Sequence, residues 1–181
     1  MSDDRLYRQY LAGDTAAGDQ LMLRYGDALT AYLNAFLHHP QDAEDLMLDC
    51  FSVILVGKPE IREGNFRAYL FRIARNKANR LWRVRLKRRE FMLDDTLISE
   101  VPSPEEAVRQ SERSEALTRC LNRIAPQYRE TLWLVYVIGM SYGQAAQAQG
   151  CGVMKIENLV KNGKKQLRRE LEKEGITDAD A

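Results

Sequence analysis

No stretch of this sequence alternates apolar and polar residues at the two-residue period of a strand over any useful length, which argues against a sheet-built fold. No run approaches the ~18 apolar residues of a membrane-spanning helix. The opening MSDDRLYRQY lacks the apolar core of a signal peptide. Cysteine is sparse: Cys50, Cys120 and Cys151 are odd in number, far apart and set in helical patterns without a CxxC pair. They read as buried, reduced thiols of a soluble cytoplasmic protein, not as a disulfide framework. His38 and His39 have no Cys or acid partner at ligand spacing, so no metal site and no cofactor is expected. HExxH, P-loop and nucleophile-elbow motifs are missing too, and no enzymatic chemistry is expected.

What the chain does have is charge, sorted along its length. Its 181 residues carry 27 Lys and Arg against 26 Asp and Glu, and the formal net charge of +1 conceals the partition. Segment 64–89, GNFRAYLFRIARNKANRLWRVRLKRR, holds ten basic residues from Arg67 onward and no acid. Phe66, Tyr69, Leu70, Ile73, Ala74 and Ala78 recur at helical spacing as an apolar stripe. Arg67, Arg72, Arg75, Asn76, Asn79, Arg80 and Arg83 lie largely off it. A helix with one buried face and one basic, Asn-bearing face has the composition that suits a nucleic-acid backbone. Surface helices ordinarily mix signs, so this much acid-free charge argues for an anionic partner. The next stretch reverses the balance: Glu90, Asp94, Asp95, Glu100, Glu105, Glu106, Glu112 and Glu115 face only Arg109 and Arg113. A second basic block occupies 161–173.

Length and periodicity together predict an all-α chain of two small helical domains joined by a flexible linker. The expected boundaries are 1–89, a linker at 90–103, a second domain at 104–175 and a frayed tail at 176–181. Leu6, Tyr7, Tyr10 and Leu11 form a short amphipathic helix that stops near Gly13. Asp14 or Thr15 caps a longer one, with Leu21, Leu23, Tyr25, Leu29, Tyr32, Leu33, Phe36 and Leu37 as its apolar positions and Gly18 and Gly26 weakening it locally. His38-His39-Pro40 is a break. Asp42 then opens a third helix, DAEDLMLDCFSVILVG, whose Leu46, Met47, Cys50, Phe51, Ile54 and Leu55 face a core. Its acids Asp42, Glu44, Asp45 and Asp49 either complement the N-terminal end of the helix dipole or present a face to a basic partner; the residues alone favour neither.

In 90–103 periodicity fails amid proline and mixed charge. Leu93, Leu97, Ile98 and Val101 suit transient docking of that linker, and its acids suit covering basic surface in the free protein. Pro104 is placed to start a helix that continues through Leu117, Cys120, Leu121 and Ile124. PQYRETLWLVYVIG comes next as a short helix with Leu132, Trp133, Val135, Tyr136 and Ile138 as core candidates. Beyond it, Ser141 caps a two-turn helix, Ala145 permits close packing, Gly150 supplies a turn, and Val153 with Ile156 anchors a second helix. These offsets describe a helix-turn-helix. Its second helix offers Met154, Lys155, Asn158, Lys161 and Asn162 outward, and Lys164, Lys165, Arg168 and Arg169 continue it as phosphate-facing charge.

With both constellations in one chain, the sequence resembles the sigma-70 family of bacterial RNA polymerase sigma factors, in the compact extracytoplasmic-function (ECF) type. The resemblance runs over about 21–171 and is carried by DAEDLMLDCF, by FRAYLFRIARNKANRLWR, and by Tyr128-Arg129-Glu130 with Gly139-Met140-Ser141-Tyr142 ahead of the helix-turn-helix. It implies region 2 in the first domain and region 4 in the second. The large region between them in housekeeping sigma factors, the N-terminal autoinhibitory segment and a C-terminal extension are not matched. The resemblance further implies that Asp42, Glu44, Asp45, Leu46, Asp49 and Phe51 dock on the β′ clamp of core RNA polymerase, tipping the acidic helix toward a partner face. It implies that loop 58–65 captures a flipped base of the −10 element, and that Asn65, Arg72, Arg75, Asn76, Lys77, Asn79 and Arg80 contact and melt that element, with Phe66, Tyr69 and Phe71 in support. Lys155, Asn158 and Lys161 are placed in the major groove of the −35 element. Lys164, Lys165, Arg168 and Arg129 are placed against phosphate or the β flap. Three positions depart from the family pattern: Glu157 and Leu159 stand where basic residues are usual, and Gly163 where Ala is usual. The implied partners are core polymerase, promoter DNA and an anti-sigma factor, with a monomer as the free state. The alternative reading is a helix-turn-helix regulator that binds duplex DNA as a dimer without acting as a sigma subunit.

Overall fold

A computed structural model describes residues 1–91 and 112–176, and every regular element among them is helical. The chain divides into two compact units. The first is built from α1 (Asp3–Leu11), α2 (Thr15–Leu37), α3 (Pro40–Leu55) and α4 (Phe66–Phe91). The second is built from α5 (Glu112–Arg123), α6 (Pro126–Leu132), a π-helical turn (Trp133–Val137), α7 (Tyr142–Gln149) and α8 (Val153–Lys173). None of these helices is long and apolar enough to cross a membrane.

Side chains set the helix starts in the first unit. Asp14, not Thr15, caps α2, accepting the Ala16 N–H at 3.1 Å. His38 ends α2 in the left-handed region with φ 50. His39 Nδ1 then accepts the Asp42 N–H at 3.3 Å, and α3 begins at Pro40, two residues ahead of the expected Asp42. The reason is local: proline's fixed φ suits a first helical turn, where its missing N–H has no partner to lose. Leu21, Leu29 and Leu33 of α2, Cys50, Phe51 and Ile54 of α3, and Phe66, Leu70, Phe71 and Ala74 of α4 close the core. The Tyr32 ring meets Phe71 edge-on at 5.2 Å. Leu23, expected on the apolar face, is 83% exposed because two residues past Leu21 lies on the opposite side of a helix. Burial pushes the Cys50 thiol up to about 12, with Lys77 opposing the rise, so it is a neutral core group.

Gly18 has a packing reason. The Tyr10 ring lies against the α2 backbone there, and a Cβ would come within 2.8 Å of Tyr10 Cδ2. At the other end of the unit α4 runs through Phe91, over the first two residues of the expected linker. The rest of that linker, the docking of Leu93, Leu97, Ile98 and Val101, the helix start at Pro104 and most of the tail lie outside the described residues.

In the second unit the π turn follows directly on α6. Ile138 N–H donates to Trp133 O at 3.0 Å, five residues back, and Met140 N–H to Leu134 O at 3.0 Å. Leu134, four and three residues past the buried Glu130 and Thr131, is fully buried, while Tyr136, an expected core residue, lies in the π turn and is 53% exposed. Arg123 on α5 pairs with Glu174 just beyond α8 at 2.6 Å.

Gly163 is buried where α8 crosses α6, and a Cβ there would stand 3.2 Å from Tyr128 Cβ and 3.3 Å from Leu132. The glycine is thus a close-approach residue, not an exposed interruption of the helix. Gly163→Leu is expected to destabilise this unit by roughly 1–3 kcal/mol through overpacking. Gly163→Ala should lie nearer wild type, because a helix gain of about 1 kcal/mol opposes the tight contact. Urea unfolding of the three proteins measures both.

Candidate nucleic-acid and partner interfaces

Burial of one side of α4 leaves the other as an outward row. Asn65, Tyr69, Arg72, Asn76, Asn79 and Arg83 succeed one another at alternating steps of four and three residues, the repeat that keeps side chains on one helix face. Arg72, Asn76, Asn79, Arg80 and Arg83 are exposed, and Asn65 and Tyr69 are half-buried. Asn65 also starts the helix: its carbonyl accepts the Tyr69 N–H at 2.9 Å. The row is amide, aromatic and guanidinium, a set that can stack on bases and pair with phosphates while leaving no carboxylate to repel them.

Not every expected cation is on that row. Lys77 turns toward α3 and donates to Asp49 Oδ2 at 3.1 Å. Arg75 lies at the flank, half-buried. Arg67 is used within the fold: its Nε donates to the Tyr25 hydroxyl at 3.2 Å, and that hydroxyl donates to Asp3 Oδ2 at 2.5 Å. Burial, then the Asp3 carboxylate, pushes the Tyr25 phenol up to about 12, so it remains a donor. Arg24 completes the group with a 2.6 Å bond to Asp3 Oδ1.

The expected partner face on α3 separates in the same way. Glu44, Asp45 and Asp49 are exposed, and Leu46 and Asp42 are half-buried. Asp42 is engaged by Arg85 of α4, and Asp49 by Lys77. Phe51 does not belong to any surface: at 1% exposure it is a core residue, because its position on α3 faces α2 and α4. It holds the helix and offers nothing outward. Two residues absent from the expected set stand beside the acids. Leu48 is 52% exposed and Val56 80% exposed, and with Asp45, Asp49 and Ser52 they share the outward side of α3. The signal was present in the spacing 45, 48, 52, 56, but apolar residues on a helix read first as core.

In the second unit, Ser141 and Gln144 cap α7 reciprocally. The Gln144 N–H donates to Ser141 Oγ at 3.2 Å and the Ser141 N–H to Gln144 Oε1 at 3.1 Å. Gly150 takes the turn with φ 67, where a side chain would be strained. Ala145, Ile156, Leu159 and Val160 are buried. Val153, expected as an anchor, is 45% exposed, since the first residue of α8 stands ahead of the buried face. Leu159 is itself an anchor, so the departure at that position is one of packing. Lys155, Glu157, Asn158, Lys161, Lys165 and Arg168 are exposed, and Met154 is the most exposed large apolar residue of α8 at 76%. Lys164 lies over the exposed Tyr136 ring, its Nζ 4.6 Å from the centroid. Arg129 is half-buried and donates to Asn122 Oδ1 at 3.0 Å, and burial pulls its guanidinium down from the ordinary range.

The Asp49–Lys77 pair is largely solvated on the Asp side, which is 60% exposed. A double-mutant cycle on the two is expected to return less than about 1 kcal/mol of coupling, measured by urea unfolding at low and at moderate salt.

Comparison with known proteins places names beside this geometry. Residues 21–89 match the Sigma-70 region 2 family model and residues 114–167 the Sigma-70, region 4 model. RNA polymerase sigma factor NccH of Alcaligenes xylosoxydans xylosoxydans is 31% identical over 172 residues, 91% of this chain and 92% of its own length. The structure of CnrH in complex with the cytosolic domain of CnrY resembles this chain with a TM-score of 0.68 at 26% identity, covering 99% of each. RpoE in complex with the anti-sigma factor NepR from Bartonella quintana gives 0.72 at 25% identity, over 85% of this chain and 96% of that one.

Proposed function

The chain belongs to the sigma-70 family of RNA polymerase sigma factors, ECF type, and from this premise we propose how its two surfaces divide the work. It binds core RNA polymerase in the cytoplasm and directs promoter-specific initiation. The outward side of α3, with Glu44, Asp45, Leu48, Asp49 and Val56, is the core-docking surface. Acids supply recognition of a basic partner, and Leu48 and Val56 supply apolar area that gains from leaving water. Asp42 and Leu46 border this surface.

The α4 row is the −10 surface, and the observation that carries this reading is its composition. Asn65, Arg72, Asn76, Asn79 and Arg80, with Tyr69 among them, form an acid-free face on a helix whose other side is locked in a core. Unstacking a base costs a few kcal/mol. Stacking contributes about 1–3 kcal/mol per base and cationic contacts add to it, so strand separation needs no nucleotide hydrolysis. Arg75 and Lys77 act from the flanks, Lys77 once it leaves Asp49. In the second unit Met154, Lys155, Asn158 and Lys161 face the −35 element, and Lys165 and Arg168, with Lys164 beside Tyr136, meet the backbone. Glu157, exposed among them, suits a cytosine amino group. An anti-sigma factor is a further expected partner, as the RpoE relative was solved with one.

The test is to add the protein to sigma-free core polymerase and follow promoter-specific opening. Arg72→Ala with Asn76→Ala should lower opening by on the order of tenfold, about 1.4 kcal/mol, with core affinity near wild type. Asp45→Ala with Leu48→Ala should reverse that pattern. Absence of core binding by the wild-type chain would sink the reading, and so would parallel loss of both properties in both variants.

A further inference from the structure

The segment 56–65 between α3 and α4 contains no regular element, yet α1 bonds to two of its residues and to the residue just before it. The Tyr10 hydroxyl donates to Leu55 O at 2.6 Å, on the last residue of α3. Carbonyls in a last helical turn have no partner within the helix, so this bond closes the end of α3. The Tyr7 hydroxyl donates to Pro59 O at 2.7 Å. Arg8 reaches Glu63 at 2.9 Å, a solvent-exposed pair and the weakest of the three. Tyr7 is 4% exposed and its ring lies 5.5 Å from that of Phe66, the first residue of α4. Burial pushes its phenol up from the ordinary range, which keeps it a donor.

The bracketed backbone is itself constrained. A Cβ on Gly57 would meet Val53 O at 2.5 Å, so only glycine fits the turn out of α3. Lys58 has φ 44, a conformation that residues with a Cβ rarely take, and its Nζ lies 5.6 Å from the centre of the Tyr10 ring. Gly18 gives that ring its place against α2. Residues from four parts of the first unit thus converge on one short turn. All of α1 precedes the residues matched to region 2.

We propose that α1 is a positioning element for promoter recognition: Tyr10 and Tyr7 hold segment 56–65 in the conformation that receives a −10 base. The inference rests on the reading of that loop as the base-receiving part of a sigma factor. Its physical content is pre-organisation. A loop already ordered by two part-buried hydroxyl bonds does not lose that conformational freedom when the base enters. The two hydroxyls therefore act on base discrimination and on opening, and leave the acidic part of the docking surface, Glu44, Asp45 and Asp49, as it is.

The experiment uses the full chain carrying Tyr7→Phe and Tyr10→Phe together, which keeps both rings and removes both hydroxyls. Holoenzyme made with it is compared with wild type on a promoter that the wild type opens and on single-base variants of its −10 element. The expected result is at least a fivefold loss of discrimination at one position, with core affinity within twofold of wild type. Amide hydrogen exchange in 56–65 of the free protein should quicken at least tenfold while α2 is unchanged. Gly18→Ala, which keeps both hydroxyl groups in the chain but displaces the Tyr10 ring and with it the Tyr10–Leu55 bond, should shift discrimination in the same direction. Unaltered discrimination in the double variant would overturn the proposal, as would a loss of core affinity parallel to the loss of discrimination. If the wild-type holoenzyme opens no promoter, the sigma reading falls, whereas wild-type opening with an indifferent double variant removes only the role of α1.

Discussion

Burial of one side of α4 is the constraint on which the first unit depends. Phe66, Leu70, Phe71 and Ala74 are all withdrawn from water against α2 and α3, and the Phe66 ring lies within 6.1 Å of Tyr25 as well as near Tyr7. The Phe and Leu side chains among these contribute about 1.5–3 kcal/mol each when fully buried. That anchoring fixes the rotation of the helix, and rotation decides where every charge on it points. A slip of about 100°, one residue's worth of helix, would carry Arg72 and Asn76 off the open face. The basic surface is therefore a consequence of the apolar one, held at a definite angle by it.

Charge is then distributed between the two helices that share this core. Some cations of α4 answer acids of α3, Lys77 to Asp49 and Arg85 to Asp42, Arg67 is used within the fold, and Arg72, Arg80 and Arg83 stand exposed on the open side. Solvated pairs of this kind contribute little to stability. Their consequence is a boundary: α3 keeps an acid and apolar outward side, α4 an acid-free one, and the cations nearest the acids lie along the seam. One compact unit thereby carries two faces of opposite preference.

Much of this was legible in the residues. The apolar stripe Phe66, Tyr69, Leu70, Ile73, Ala74 and Ala78 and the off-stripe Arg72, Asn76 and Asn79 come from helical spacing; the structure buries Phe66, Leu70, Ala74 and Ala78, leaves Tyr69 and Ile73 half-buried with Tyr69 on the outward row, and keeps Arg72, Asn76 and Asn79 exposed. The Ser141, Ala145, Gly150, Ile156 pattern likewise appears as a capped helix, a left-handed turn and a buried anchor. Other residues escape a local reading for identifiable reasons. Phe51 is core by helical spacing and a docking residue only by the resemblance, and the phase of α3 turns it inward as the spacing has it. Tyr136, a core candidate by local pattern, lies in the π turn and stands exposed. Gly163 looks like an interruption until Tyr128 and Leu132 are found against it. In each case the deciding fact lies in the packing or in the helix's own phase, not in the residue type.

By itself the sequence determined the helical class, the segregation of charge, the family resemblance and which helices carry chemistry. Those are matters of periodicity and composition, written within ten or twenty consecutive residues. Only the tertiary structure decided which of the charged residues are left for a partner and how segment 56–65 is held. Hydrogen bonds from Tyr7 to Pro59 and from Tyr10 to Leu55 join residues 52 and 45 positions apart. Nothing local in a tyrosine says whether its hydroxyl meets water or a distant carbonyl, because that is set by the packing that brings the two together.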